Sequence, residues 1–476
     1  MNKTIENIAS FWRLEAKLED NNKYFYFYDE VQDILDNKKC FVIGRKGTGK
    51  TAICEYIAKI HKHDSFAIKL SFKNFPFNEL YHLQNQKYTR PNEYITLWKY
   101  VIYSNICKLM AGNEAVDGTV RTELGKLYPQ RRNLARNISD WTSIQFGANV
   151  LGNGGTIRVD RQITENTASW IERTNILEDI ILQYGTNSKY YIIFDELDED
   201  YRDFSDDTEK QSYISLLTSL FKAVQDIKSI FSEEDVNIMP VVFLRDDIYM
   251  IIKDSDKNKW SDLKIELEWT KEKIKNLLAY RISKDMGEQS PVSFDKAWFY
   301  IFENSKVSYG DKQSKKIDAF SFIERSTYLR PRDFIQYIQA CCANAKEKGK
   351  NKISPNIIKF EDRAFSNYLK SEIEDEVFPL LPEIKTIFQI LSNLRKWNLK
   401  TSEFVDEYKK YLNAGTIKEQ NIDYVLDTLY NFSVIGNQHK SIKNVQYFKY
   451  MQTNMTYNKE ENIVIHRGLF KALRII

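Results

Sequence analysis

Two short stretches hold residues whose types and spacing fit one chemistry. In "IGRKGTGKTAI", Gly44, Arg45, Lys46, Gly47, Thr48, Gly49, Lys50 and Thr51 satisfy G-x-x-x-x-G-K-[ST] at every fixed position. Glycines lack a Cβ, so such a loop curls with its backbone N–H groups pointing inward. A helix starting behind it adds a dipole and free amides. Lys50 then reaches the β- and γ-phosphates of a nucleotide, and the Thr51 hydroxyl ligates Mg²⁺. The second stretch, "YYIIFDELDED", ends an apolar run in Asp195-Glu196. Hydrolysis needs a carboxylate at the metal and a group that orients the attacking water. Asp195 reads as the metal-shell carboxylate and Glu196 as the water-activating one. Arg245 ends a third apolar run, "VVFL", where a cation could sense the γ-phosphate or pair with Asp246, Asp247 or the 195–200 acidic run.

These residues need a parallel sheet to hold them, since ligands of open parallel sheets bind at the carboxyl ends of the strands. The run Cys40–Ile43 reads as a buried strand, and Ala52, Ile53, Tyr56, Ile57 and Ile60 recur at helical spacing behind the loop. "SFAIKLSF" (65–72) reads as a second core strand. Lys50 and Asp195 stand 145 positions apart (195 − 50), a long interval for a compact core, so an insertion is expected at about 73–165. Within it "EYITLWKYVIYSNICKLM" reads as a buried helix and "FGANVLGNGGTIRVD" as a hairpin. No lysine and helix follow "GNGG" in register, so it is a turn. "ASWIERTNILEDIILQYG" and "QSYISLLTSLFKAVQDIKSIF" read as helices of the core.

The loop, the "IIFDE" strand and the "VVFLR" strand resemble those of ASCE-type P-loop ATPases, the division that holds AAA+ and STAND proteins. The segment "LKIELEWTKEKIKNLLAYRI" is similar to the lead-in and first lid helix of those families. "STYLRPRDFIQYIQACCANAK" resembles the lid helix whose first turn carries a sensor arginine. Pro331 suits a helix start, so the resemblance implies that role for Arg332 first and Arg330 second. It also implies ATP as the nucleotide, and that the aromatic lead at 1–37 covers the base. The expected organisation is α/β: a three-layer P-loop core with a parallel sheet at 38–262, a helical lid at 263–375 and a winged helix-turn-helix at 376–476.

The winged helix is expected from "PEIKTIFQILSNL", "SEFVDEYKKYL" and "NIDYVLDTLYNFSVI" as three helices. "QYFKYMQTNMTYNKEENIVIH" follows as two strands joined at Asn458-Lys459-Glu460. This arrangement resembles that of origin-recognition-type relatives. A helix that reads the DNA major groove presents Arg, Lys, Asn or Gln to base edges. The third helix instead offers Asp423 and Asp427, leaving Lys440, Lys443 and Lys449 to touch phosphates, so protein docking is the favoured use.

Composition agrees with a globular chain of 476 residues, 28% charged and 42% hydrophobic, which is long enough for two or three domains. A net charge of +3 does not mark an obligate nucleic-acid binder. Basic patches stand at 130–136, with Arg131, Arg132 and Arg136, at 311–316 ("DKQSKK") and at 346–352 ("KEKGKNK"). No run is long enough to span a membrane, and five cysteines without metal-like spacing fit a reducing cytoplasm. There is no PD-(D/E)xK nuclease pattern, Ser/His/Asp arrangement or R-x4-6-H motif. The expected function is an ATP-binding and ATP-hydrolysing switch of the AAA+/STAND type. The resemblance places such switches in bacterial defence or mobile-element systems, with a protein effector or neighbouring-gene product as partner. Nucleic acid and a second copy of the chain are further candidate partners. The alternatives are a DNA-binding initiator or loader and a nucleotide-stabilised scaffold that does not turn over.

Overall fold

A computed structural model describes residues 2–60, 63–72, 92, 94–128, 170–198, 207–234, 236–439, 441–442 and 445–475. The expected hairpin and "GNGG" turn, the patch at 130–136, Glu199, Asp200, Lys440 and Lys443 lie outside the described residues. The chain divides into two compact units: Phe27–Leu267, and Met1–Tyr26 together with Glu268–Ile476.

The unit Phe27–Leu267 is built on a five-stranded parallel sheet of β1 (Phe41–Ile43), β2 (Ser65–Ser71), β3 (Lys189–Asp195), β4 (Asn237–Leu244) and β5 (Lys264–Glu266). Its order is β2-β3-β4-β1-β5, and every pairing is parallel. β5 was not foreseen as a strand, because "KIE" carries only one apolar residue. Parallel sheets are covered on both faces, and alternation along β3 shows how. Phe194 meets Trp98, and the Tyr190 hydroxyl accepts from Asn113, both on or next to helix Ile95–Met110. Tyr191 and Asp195 point the opposite way, towards the Leu35 carbonyl and Lys69.

The helices of this unit are α3 (Asp29–Leu35), α4 (Lys50–Ala58), α5 (Ile95–Met110), α6 (Gly118–Leu127), α7 (Trp170–Tyr184), α8 (Asp207–Ile230) and α9 (Asp246–Ile251). α5 is buried nearly all round and packs on α7 and α8, which explains its largely apolar sequence. Phe41 of β1 stacks on Phe221 of α8 at 4.4 Å.

The second unit begins with α1 (Lys3–Phe11) and the short α2 (Asn21–Tyr24), which pack on the lid helices α10 (Lys271–Met286) and α13 (Pro331–Glu347). The lead expected as one segment over 1–37 therefore divides at Tyr26. Its first part is fixed by the buried Asp285 of α10, which accepts from Trp12 Nε1 (2.8 Å), the Tyr24 hydroxyl (2.7 Å) and Lys23 Nζ (2.6 Å). Between α10 and α13 lie α11 (Phe294–Ile301), the antiparallel hairpin β6 (Val307–Tyr309) and β7 (Lys315–Ile317), and α12 (Ala319–Glu324).

After α14 (Pro355–Val377) come α15 (Ile384–Leu394), β8 (Asn398–Leu399), α16 (Thr401–Asn413), α17 (Ile422–Asn431), β9 (Ile435–Gln438), β10 (Gln446–Tyr447) and β11 (Asn462–Ile465). The sheet order is β10-β9-β11-β8. This is a winged helix-turn-helix with one correction. The two strands expected to pair directly are separated by β9, whose first residue, Ile435, was expected to end the third helix. Ser433, at φ +57°, ends the helix early by turning the chain into the left-handed region.

Candidate nucleotide site

The loop between β1 and α4 has the backbone its glycines require. Gly47 and Gly49 sit at φ +83° and +100°, where a side chain would be strained. At Gly44 a Cβ would come within 2.7 Å of Thr48 Oγ1 and 3.0 Å of Leu267 Cβ. Thr48 closes the curl, its hydroxyl donating to the Arg45 carbonyl at 2.8 Å. Gly49 is the N-cap of α4 and supplies no capping side chain, so the amides of the first turn face the loop without one. Lys50 Nζ donates to the Gly44 carbonyl at 2.6 Å and the Arg45 carbonyl at 3.0 Å. Burial pulls its pKa below the ordinary lysine value, against the opposing pull of Asp198 and Asp246. Arg45, Lys46 and Thr51 are half-buried around the loop.

Asp195 and Glu196 follow at the carboxyl end of β3, two strands away from β1 on the same edge of the sheet. The chain turns sharply between them. Glu196 has φ +62°, a conformation costing a non-glycine residue roughly 1–2 kcal/mol. The turn directs its carboxylate to the hydroxyl of Ser71, the last residue of β2, which donates to it. Asp195 is 3% exposed and lies 3.0 Å from Lys69 Nζ, off the hydrogen-bonding direction. Lys69 also donates to Glu55 of α4 at 2.7 Å. Burial opposes the charge on Lys69, but Asp195 and Glu55 help to hold its pKa above the usual lysine value.

Ser71 and Lys69 were missed by reading "SFAIKLSF" only as a core strand. The signal was there: a lysine inside an apolar strand needs a buried counter-charge.

Arg245 is the N-cap of α9, and its guanidinium grips Asp247 through Nε (3.0 Å) and Nη2 (2.7 Å). Asp198 stands 3.6 Å from its Nη1. Arg245 thus makes the salt bridges that its sequence also allowed. Burial raises the pKa of neighbouring Asp246.

The two arginines of the lid differ. α13 starts at Pro331, with Arg330 as N-cap and Arg332 in the first turn. Arg330 is 1% exposed, held by Asp333 (2.9 Å) and Glu376 (3.1 Å). Burial disfavours its charge, but the two carboxylates outweigh that and raise its pKa. A guanidinium so committed ties the start of α13 to α14. Arg332 is partly exposed and pairs more loosely with Glu372 at 3.3 Å.

Fold and site together define a P-loop NTPase fold with a helical lid and a C-terminal winged helix. Residues 272–374 match a family model described as the FunZ-associated C-terminal helical domain. No curated protein matches the sequence. Solved structures similar to this one include Cdc6p from Pyrobaculum aerophilum, at 12% identity and TM-score 0.34, covering 99% of this chain and 96% of that one. The Aeropyrum pernix ORC2 protein, solved as ADPNP-ADP complexes, is 11% identical at TM-score 0.40, covering 99% and 92%. The Aeropyrum pernix ORC1 protein in complex with DNA is 10% identical at TM-score 0.35, covering 99% and 96%.

Proposed function

We propose that the protein is an ATP-binding and ATP-hydrolysing switch whose nucleotide state is read by a separate protein partner. The observation that carries this reading is the placement of a glycine loop, an uncapped helix N-terminus and the Asp195–Glu196 pair along one edge of a parallel sheet. In the switch, the loop amides and Lys50 hold the phosphates, with Arg45, Lys46 and Thr48 shaping the cradle. Glu196, held by Ser71, orients the attacking water. Arg245 and Arg332 would exchange carboxylate partners for the γ-phosphate.

The hydroxyl of Thr51 and the carboxylate of Asp195 are hard oxygen donors of the kind Mg²⁺ takes. They fit the metal, with Lys69 as a built-in counter-charge beside Asp195. When bound, Mg²⁺ neutralises charge developing on the phosphates.

The partner is proposed to be a protein effector in a genome-defence or mobile-element setting, docked on the winged helix. What favours protein over base readout is the third helix, α17. It presents Asp423, and the wing residue Lys459 pairs with that carboxylate at 2.7 Å. Lys449, a candidate phosphate contact, donates to the Met455 carbonyl at 2.7 Å. Among the described residues no helix is long and apolar enough to cross a membrane.

Calorimetric titration with ATP, followed by phosphate release with and without Mg²⁺, tests the switch. Saturable binding with Mg²⁺-dependent turnover is expected. Tight binding without turnover would favour a nucleotide-stabilised scaffold instead.

A further inference from the structure

Of the three basic patches in the sequence, the one at 346–352 is engaged inside the fold. Lys346 donates to Ser10, Lys352 to the Phe299 carbonyl, and Lys348 covers the Phe360 ring. The patch at 311–316 behaves differently. It forms the tip and second strand of the β6–β7 hairpin, where Lys312, Lys315 and Lys316 are exposed, as is Lys306 just before β6. None of the four has a carboxylate partner among the described residues. Elsewhere exposed lysines commonly have one: Lys126 with Glu123, Lys259 with Asp256, Lys410 with Glu407, each at 2.7 Å.

The hairpin is a shaped element. Gly310, Lys312 and Gln313 all have positive φ, which sets a tight tip, and Gln313 accepts from the Ser308 hydroxyl at 3.1 Å. In the register, Lys315 stands opposite Tyr309 and Lys316 opposite Ser308, so the two lysines lie on opposite faces of the hairpin. On the Tyr309 face a fifth cation waits. The Arg325 guanidinium lies over the Tyr309 ring at 4.2 Å and the Phe322 ring at 4.1 Å. Its Nε and Nη2 are shut off from solvent and find no hydrogen-bond partner among the described residues. Arg467 lies close enough to repel it, and the nearby Asp362 is already engaged by Arg467 at 3.3 Å and Ser326 at 3.0 Å. Burial and that repulsion bring the Arg325 pKa down to about 10. Such a group gains from negative charge brought near it.

We propose that the β6–β7 hairpin, backed by Arg325, is a contact for the phosphate backbone of nucleic acid. Lys312, Lys315 and Lys316 meet phosphates as point charges from the tip and from both faces of the hairpin, and Arg325 adds positive potential behind the Tyr309 face. Nearby acids limit the surface without closing it. Glu303 and Asp318 are exposed at the strand bases, and Asp318 is occupied as the N-cap of α12, accepting from the Ser321 amide at 2.8 Å. The contact carries no base-reading pair, so it binds without sequence preference. It stands apart from the switch reading, because none of these residues belongs to the nucleotide site.

The test uses the full chain without nucleotide and two unrelated fluorescent DNA duplexes, titrated by anisotropy at several salt concentrations. Expected are equal affinities for the two duplexes and log K falling linearly with log salt. K312A/K315A/K316A should flatten that slope by up to about three units, near 0.9 per phosphate contact. Arg325→Gln should weaken binding further while ATP affinity stays unchanged, showing that the chain is folded. Lys50→Ala should lose ATP and keep the duplex, which separates failure of the switch reading from failure of this one. A triple variant with wild-type slope, or a wild-type chain that binds neither duplex, overturns the proposal.

Discussion

The ammonium of Lys69 stands 3.0 Å from the carboxylate of Asp195, so the residue expected to serve a metal already has a cation beside it. Glu55, 2.7 Å away, completes a group of one cation and two carboxylates between β2, β3 and α4. Removing one member of such a group leaves buried charge uncompensated. Lys69→Met is expected to lower the free energy of unfolding by up to about 3–5 kcal/mol. Urea denaturation measures it, and a loss below about 1 kcal/mol would show that water reaches the carboxylates freely.

Lys50→Ala should abolish ATP binding, because it removes the mobile cation at the end of the glycine loop. In the wild type, burial lowers the Lys50 pKa, and bound phosphates raise it again. ATP affinity should therefore fall as pH rises through the lowered value of the free chain, and level off above the value in the complex. Calorimetry across the alkaline range checks the sign. Affinity that rises over that range would remove Lys50 from the phosphates.

Glu196→Gln is expected to keep ATP bound and slow its hydrolysis about a hundredfold or more, the usual worth of general-base assistance. Ser71→Ala should slow turnover less, since it releases the Glu196 carboxylate without removing it. Asp195→Asn should weaken the dependence on Mg²⁺. Normal turnover in Glu196→Gln combined with none in Asp198→Asn would move the water-activating role to Asp198.

The paired arginines of the lid offer a contrast. Arg330→Met strands Asp333 and Glu376 and should cost roughly 3–5 kcal/mol of stability. Arg332→Ala should change stability by less than about 1 kcal/mol and show its effect in the rate of hydrolysis. A stable Arg330→Met with impaired turnover would return the sensor role to Arg330.

Much of this was legible because local rules acted alone. The glycine loop, the strand ending in Asp195-Glu196 and the start of α13 at Pro331 follow from residue type at short range. Arg330 and Arg332 could not be ranked that way. They are two positions apart in one sequence motif, and the approach of Glu376, 46 residues on, joins Asp333 in holding Arg330 inside. The start of β9 was misread for a similar reason. "SVIGNQ" follows a helix without a glycine or proline break, and its strand character comes from pairing on both sides with β10 and β11. Lys69 needed Asp195 and Glu55 to make sense.

Residues 2–26 belong to the same compact unit as 268–476, although 241 residues separate them (27 to 267). This gives the two units an unequal start during synthesis. The stretch Phe27–Leu267 is complete on the ribosome first. At roughly 5–20 residues per second, Ile5, Ile8 and Trp12 wait on the order of tens of seconds after their own synthesis for α10 and α13 to cover them. Trp12 and Tyr24 have no Asp285 to donate to until α10 emerges. A nascent chain stalled before that point exposes an amphipathic N-terminal helix, the kind of surface that chaperones hold.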